Sequence, residues 1–151
     1  MTIVVDVANV MGSRPDGWWR DRAGAAVRLH AEIARLAASG RAVLPDAPGA
    51  PEPGPPGFVL VLEGAANAAV ARLPAGERGA PGGANAADPV PPGEVRVVQA
   101  RGSGDDAIVA LVRELPGRRV VVTADRELRG RCVAAGATIL GPGWLLGLLK
   151  G

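Results

Sequence analysis

Hydrophobic residues recur along the chain in two rhythms, one typical of buried strands and one typical of amphipathic helices. Short runs of mostly β-branched and other apolar residues predict five buried strands, at residues 3–5, 58–62, 95–98, 120–122 and 138–140. A spacing of three or four residues between apolar positions predicts helices over residues 19–39, 105–115 and 125–135. A weaker alanine-rich helix is predicted over residues 65–73, and a short closing helix over 143–150.

Strands that alternate with helices predict an α/β domain, with a mostly parallel five-stranded sheet covered by helices on both faces. The length of 151 residues suits one domain, and a hydrophobic fraction of 48% is enough for a packed core. Two stretches interrupt the alternation. Residues 45–57 are rich in proline and residues 74–93 in glycine, alanine and proline, so both are expected to be extended or mobile loops.

Composition further narrows the class of protein to which the chain can belong. Cys132 is the only cysteine, which excludes a disulfide framework and an all-cysteine zinc site. No apolar run reaches the roughly 18–20 residues of a membrane span. The chain opens directly on a strand, so we expect no signal peptide and a soluble, cytoplasmic domain. The formal net charge is +2, and all but one of the 17 basic residues are arginine. A GC-rich genome produces the same bias, so where the arginines lie is more informative than their number.

Acidic residues follow three of the predicted strands. Asp6 follows the first, Asp105 and Asp106 open the helix after the third, and Asp125 follows the fourth. The carboxyl ends of parallel strands share one edge of the sheet, where α/β proteins bind ligands. Helix capping would explain each acid except Asp6, which precedes no predicted helix.

Carboxylates brought together at one edge must share protons or hold a cation. Two charges about 4 Å apart repel by roughly 4 kcal/mol at an effective dielectric constant near 20. Oxygen ligands without histidine or cysteine select Mg²⁺ or Mn²⁺ rather than zinc. His30, the single histidine, is expected at a surface or partly packed position of a helix rather than as a catalytic base.

Arginines and tryptophans lie together in the segment after the first strand. Arginine binds phosphate oxygens and tryptophan stacks on bases, so this segment is a candidate for substrate contacts. The alternative is that the tryptophans anchor the start of the following helix and the charges pair with neighbours. With two arginines expected near the same edge, the candidate substrate-binding residues are Arg14, Trp18, Arg20, Arg22, Arg101 and Arg126.

Four segments together resemble one known family. Residues 4–10 read VVDVANV, 103–109 SGDDAIV, 120–128 VVVTADREL and 136–140 GATIL. In this order and spacing they resemble NYN domains, the PIN-like nucleases that include the bacterial YacP-like branch. The resemblance implies a single PIN-like domain over residues 1–151, a three-layer sandwich with strand order 3-2-1-4-5. It also implies a metal-dependent ribonuclease that acts on RNA.

Carried over by position, the resemblance makes Asp6, Asp106 and Asp125 the metal-site carboxylates of a centre that holds Mg²⁺ or Mn²⁺. Asn9 would orient substrate or a water ligand, and Asp105 would support or replace Asp106. A metal-activated water would attack the phosphodiester bond. The family often has a fourth acid. Here Glu32 is the nearest candidate but is expected on a polar helix face, and Asp16 and Asp21 are alternatives.

Other function classes are excluded or left open by the residues. A haloacid-dehalogenase-type phosphotransferase needs a second aspartate at position 8, which is Ala8, and a P-loop needs a lysine that the chain has only at Lys150. A nucleotide pyrophosphohydrolase stays open, as does an RNA-binding or regulatory PIN-like domain without turnover. A dimer is possible.

Overall fold

A parallel sheet of five strands runs through the middle of the molecule. In the computed structural model the strands are β1 (Thr2–Asp6), β2 (Gly57–Leu62), β3 (Val95–Gln99), β4 (Arg119–Val122) and β5 (Thr138–Leu140). They lie in the order β3-β2-β1-β4-β5, and every neighbouring pair is parallel. The predicted fold class and strand order are confirmed. All five strands occur where the apolar runs predicted them, with ends shifted by at most one or two residues.

The described part of the chain has five α-helices and two 3₁₀ helices around these strands. The α-helices are α1 (Val7–Gly12), α2 (Arg22–Ser39), α3 (Gly104–Glu114), α4 (Arg126–Ala134) and α5 (Pro142–Leu149). The 3₁₀ helices are Trp18–Arg20 and Gly64–Arg72, so the predicted alanine-rich helix forms with the tighter winding. The predicted helix from residue 19 is split, because Asp21 caps α2 by accepting a hydrogen bond from the Gly24 N–H. Helix α1 was not predicted, since six residues are too few to show a helical period.

Alternate residues of each strand face opposite sides of the sheet, which gives the molecule three layers. Ile3 and Val5 of β1 belong to the apolar cluster that also contains buried residues of α1, α2 and α5. Val4 lies on the other face, in the cluster formed with α3 and α4. His30 is buried within α2, at 4% exposure, so the expected surface or partly packed position is wrong.

The structure describes residues 1–42, 44, 55–73 and 88–150. The greater part of the two predicted loops, at 45–57 and 74–93, lies outside these ranges. Within them, no helix combines the length and the apolar character that crossing a membrane requires.

Candidate active site

Asp6 is the last residue of β1 and lies at the carboxyl edge of the sheet. Helix α1 begins at the next residue, and the Asp6 carboxylate caps it by accepting a hydrogen bond from the Asn9 N–H at 3.4 Å. The expectation that Asp6 caps no helix is therefore wrong, because α1 is too short to be predicted. Even so, the side chain is only 7% exposed, and a weak cap does not explain a buried carboxylate.

Thr123 joins two of the predicted acids. Its hydroxyl donates a hydrogen bond to Oδ2 of Asp6 at 2.9 Å and accepts one from the Asp125 N–H at 3.1 Å. Thr123 is fully buried at the end of β4, so this connection between the ends of β1 and β4 is shielded from water. Sequence reasoning assigned no role to Thr123, although the residue stood within one of the quoted motifs.

Asn9 makes a second connection between the same two strand ends. Its Oδ1 accepts a hydrogen bond from the Ala124 N–H at 2.8 Å, across 115 positions of the chain. The loop held in this way carries Asp125, whose Oδ1 caps α4 through the Leu128 N–H at 2.9 Å. Asn9 thus positions the backbone beside the acids.

Asp105 is the acid of α3 that interacts with the others. Burial is the main cause that raises the pKa of Asp105, and repulsion from Asp125 and Glu63 raises it further. Burial likewise raises the pKa of Asp6 to about 6, with smaller contributions from the negative charges of Asp105 and Glu63. Hydrogen bonds from Thr123 and Asn9 act in the opposite direction on Asp6. These mutual effects identify one group of acids at the sheet edge.

Asp106 points away from that group. Its side chain is 71% exposed and its Oδ1 pairs with Nη2 of Arg131 at 2.9 Å. Its N–H donates to Oγ of Ser103, the residue that caps α3. The structure therefore brings Asp6, Asp105 and Asp125 together and leaves Asp106 on the outer side of α3.

Glu63 is the acid that sequence reasoning missed. It directly follows the buried strand β2, and its Oε2 accepts a hydrogen bond from the Gly104 N–H at the start of α3 at 2.6 Å. A Cβ at position 104 would lie 2.8 Å from that oxygen, so glycine permits the approach. The signal was present in the sequence, since Glu63 follows β2 as Asp6 ends β1.

The fourth-acid candidates chosen from the sequence lie elsewhere. Glu32 binds Arg14 through two hydrogen bonds, of 2.7 and 2.9 Å, which lower the pKa of Glu32 and raise that of Arg14. Asp21 caps α2 and forms an exposed ion pair with Arg72 at 3.6 Å. Asp16 is exposed in the segment between α1 and the first 3₁₀ helix.

The chemistry of the acid group suits a hard cation, but its geometry is not assembled for one. All its donors are carboxylate oxygens. Burial, with a smaller contribution from repulsion between the acids, raises the pKa values of Asp6 and Asp105, and a cation would relieve both effects. Yet among residues 1–42, 44, 55–73 and 88–150, no three His, Cys, Asp or Glu side chains are arranged to hold a metal ion. A cation would have to draw the carboxylates closer together.

The candidate substrate-binding residues fall into three sets. Arg14 is half-buried and engaged by Glu32. Trp18 packs partly buried against the core, whereas Trp19 is 55% exposed and meets Trp18 edge to face. The guanidinium groups of Arg22 and Arg20 lie over these rings, at 5.4 Å for Trp18 and 5.8 Å for Trp19. Arg101 lies in the segment that leads into α3, Arg126 is the first residue of α4, and both are exposed.

Comparison with known proteins finds a similar fold among solved structures. The chain superimposes on Rae1 (YacP) from Bacillus subtilis with a TM-score of 0.60 at 15% sequence identity, over 99% of this chain and 74% of that one. No protein-family model matches the chain. No curated protein matches it either. The likeness to Rae1 shows that this chain has a YacP-like, PIN-like α/β fold.

Proposed function

We propose that the protein is a metal-dependent ribonuclease that hydrolyses RNA phosphodiester bonds with an activated water. The observation that supports this proposal is the group of acids at the carboxyl edge of the sheet, where Asp6 is buried next to Asp105 and Glu63. Keeping these charges together costs free energy, which a purely structural role would not require. A cation-dependent reaction on an anionic substrate gives the arrangement a use.

Asp6, Asp105 and Asp125 would hold Mg²⁺ or Mn²⁺ in this proposal. What a bound divalent ion supplies is positive charge for the phosphate oxygens and a lowered pKa for a water molecule. Thr123 keeps the Asp6 carboxylate oriented through its hydroxyl. Asn9 restrains the loop that carries Asp125. The Asp106–Arg131 ion pair connects α3 to α4. In this proposal Asp106 therefore supports the site without contacting the reacting atoms.

The charge of the rest of the molecule favours RNA as the substrate. When Asp6, Asp105, Asp106 and Asp125 are set aside, 11 of the 15 acidic residues remain against 17 basic ones. Arg101 and Arg126 are exposed in the segments on either side of the acid group. The positive charge around the acidic centre attracts a polyanion, and the acids confine the cation-dependent step to that centre.

An RNA-binding domain without turnover is the second candidate. It is favoured by one observation, that no three acids in the described part of the chain are arranged to hold a metal ion. Such a domain would use the same arginines and would not depend on the carboxylates.

Cleavage of a labelled single-stranded RNA in Mn²⁺ tests the proposal. We expect Asp105→Asn and Asp125→Asn to lower the cleavage rate by about 10²–10³-fold, the scale of losing one electrostatic group from an active site. Asp106→Asn is the matched control and should retain a rate within about threefold, since this neighbour is exposed and paired with Arg131. Asn at position 125 still caps α4, which guards against misfolding.

Two outcomes would contradict the proposal in different ways. Equal cleavage by the wild type and Asp125→Asn would refute the site. A wild type that binds RNA but does not cleave it in Mn²⁺ or Mg²⁺, with binding unchanged or tighter in Asp6→Asn, would establish the binding domain instead.

A further inference from the structure

A cavity of about 280 Å³ lies beside the acid group. Its lining includes Ala8, Met11, Trp18, Arg22, Glu63 and Gly102. Ala8 is two residues beyond Asp6, and Gly102 is two residues before Gly104, so the cavity adjoins the proposed reaction site. Its volume is just below the roughly 300–1,000 Å³ of small-molecule sites, which suits one flat ring system rather than a stretch of polymer.

The aromatic wall of the cavity is held in place. Trp18 packs against the core and meets Trp19 edge to face, with ring centroids 6.0 Å apart. The guanidinium of Arg22 lies 5.4 Å from the centre of the Trp18 ring, so a cation–π contact restrains both side chains. Indole rings and guanidinium planes are both surfaces on which an unpaired base stacks.

Glu63 forms the polar wall of the cavity, and its carboxylate favours bases that offer hydrogen-bond donors. Glu63 is an acceptor only, and its Oε2 already receives the Gly104 N–H. A ligand that satisfies the carboxylate must offer hydrogen-bond donors, which on a base are N–H groups. Adenine, cytosine and guanine carry an exocyclic amino group, whereas uracil offers one N–H between two carbonyl oxygens that the carboxylate repels.

We propose that this cavity binds one unpaired nucleobase of the RNA, with Trp18 as the stacking residue and Glu63 as the residue that prefers amino-bearing bases to uracil. This inference rests on the proposed function, because it takes RNA as the substrate. It adds a base-specific contact next to the position where the chain would be cut.

Fluorescence anisotropy with a minimal RNA tests the cavity apart from cleavage. The probe is a labelled five-residue ribose-phosphate strand with one base at the centre and abasic residues elsewhere, measured in EDTA so that no metal-dependent cleavage occurs. We expect the adenine, cytosine or guanine strand to bind wild type about tenfold more tightly than the fully abasic strand, the scale of one stacked base. Trp18→Leu should lose this difference, while the exposed neighbour Trp19→Leu should retain it.

Two further variants keep the test informative if Trp18→Leu fails to fold. Gly102→Leu adds bulk at the cavity wall, where an added Cβ meets nothing within 4 Å, and should also abolish the difference. Glu63→Gln has a donor as well as an acceptor, and should bring uracil within about threefold of the amino-bearing bases.

Several results would overturn the inference. These are equal affinity of wild type for the one-base and abasic strands, no binding of either strand, or an equal loss in Trp19→Leu and Trp18→Leu. Uracil binding as tightly as the other bases would remove the role of Glu63. RNA cleavage without base preference would refute the cavity alone, and base preference without cleavage would refute the nuclease alone.

Discussion

Asp6 shows how much the meaning of one residue depends on distant partners. Its sequence neighbours make it the end of a strand and the cap of a short helix. Its burial makes it a carboxylate that resists ionisation, although Thr123, 117 positions away, donates a hydrogen bond that favours the charged form. Helix capping does not require a buried carboxylate, so the burial of Asp6 carries the functional argument.

The raised pKa of Asp6 predicts how stability depends on pH. The folded protein holds this proton up to about pH 6, whereas the unfolded chain releases it near the ordinary value of 3.8. Between these values the unfolded state binds fewer protons, so the free energy of unfolding falls as the pH rises. Above pH 6 the accumulated loss is constant, at about 3 kcal/mol or less.

Asp6→Asn removes this pH-dependent loss in the free energy of unfolding, because the amide does not ionise. Urea unfolding should find the variant more stable than wild type by about 1–3 kcal/mol at pH 7.5 and equal to it near pH 4. Asp106→Asn, at a largely exposed carboxylate, is the control and should change stability by less than about 1 kcal/mol at either pH. A pH-independent difference between wild type and Asp6→Asn would contradict the assignment.

At the scale of elements, periodicity and capping residues predicted most of the architecture. Ser103 and Asp125 cap α3 and α4, close to where the sequence analysis began those helices. The exceptions are short or tightly wound. Helix α1 has six residues, and the segment Gly64–Arg72 winds as a 3₁₀ helix. A pattern of apolar positions is too coarse to predict either one.

Two glycines give a matched test of element packing. A Cβ at Gly57, in β2, would lie 2.6 Å from the backbone oxygen of Val90, which cannot rotate aside. We expect Gly57→Ala to destabilise the protein by about 2 kcal/mol or more. A Cβ at Gly130, inside α4, meets nothing within 4 Å. Gly130→Ala should therefore stabilise by about 0.5–1 kcal/mol through helix propensity. Equal effects of the two changes in urea unfolding would contradict the described packing.

At the scale of the whole molecule, charge is distributed so that a nucleic acid could be attracted and then held at one edge. The acids gather at the carboxyl ends of the strands, while exposed arginines lie in the segments next to them. Arg14 is not one of these exposed arginines, because it is half-buried and Glu32 neutralises its charge. The number of arginines therefore overstates the positive charge available to a ligand.

The salt dependence of RNA binding separates arginines at the site from those elsewhere. For single strands, log K falls with log salt by about 0.7 per phosphate neutralised. We expect Arg126→Gln to reduce that slope by about 0.7. Arg113→Gln should leave the slope unchanged, because Arg113 is exposed about 12 Å further along α3 from Asp105. Titrations by anisotropy between 50 and 200 mM salt, a range of about fourfold, measure both. Equal slopes for the two variants would refute an arginine contact at this edge.

The apolar runs were enough to predict five strands and their parallel arrangement, because strand and helix periods are local properties of the chain. The acids that follow three of these strands were visible in the sequence itself. The local sequence does not determine which acid of α3 faces the other acids. Adjacent helical residues point about 100° apart, so the docking of α3 on the sheet selects Asp105 over Asp106. Glu63 accepts a hydrogen bond from the Gly104 N–H at the start of α3, and Arg14 pairs with Glu32. Contacts between segments far apart in the chain have no periodic signature, and they arise only when the layers pack.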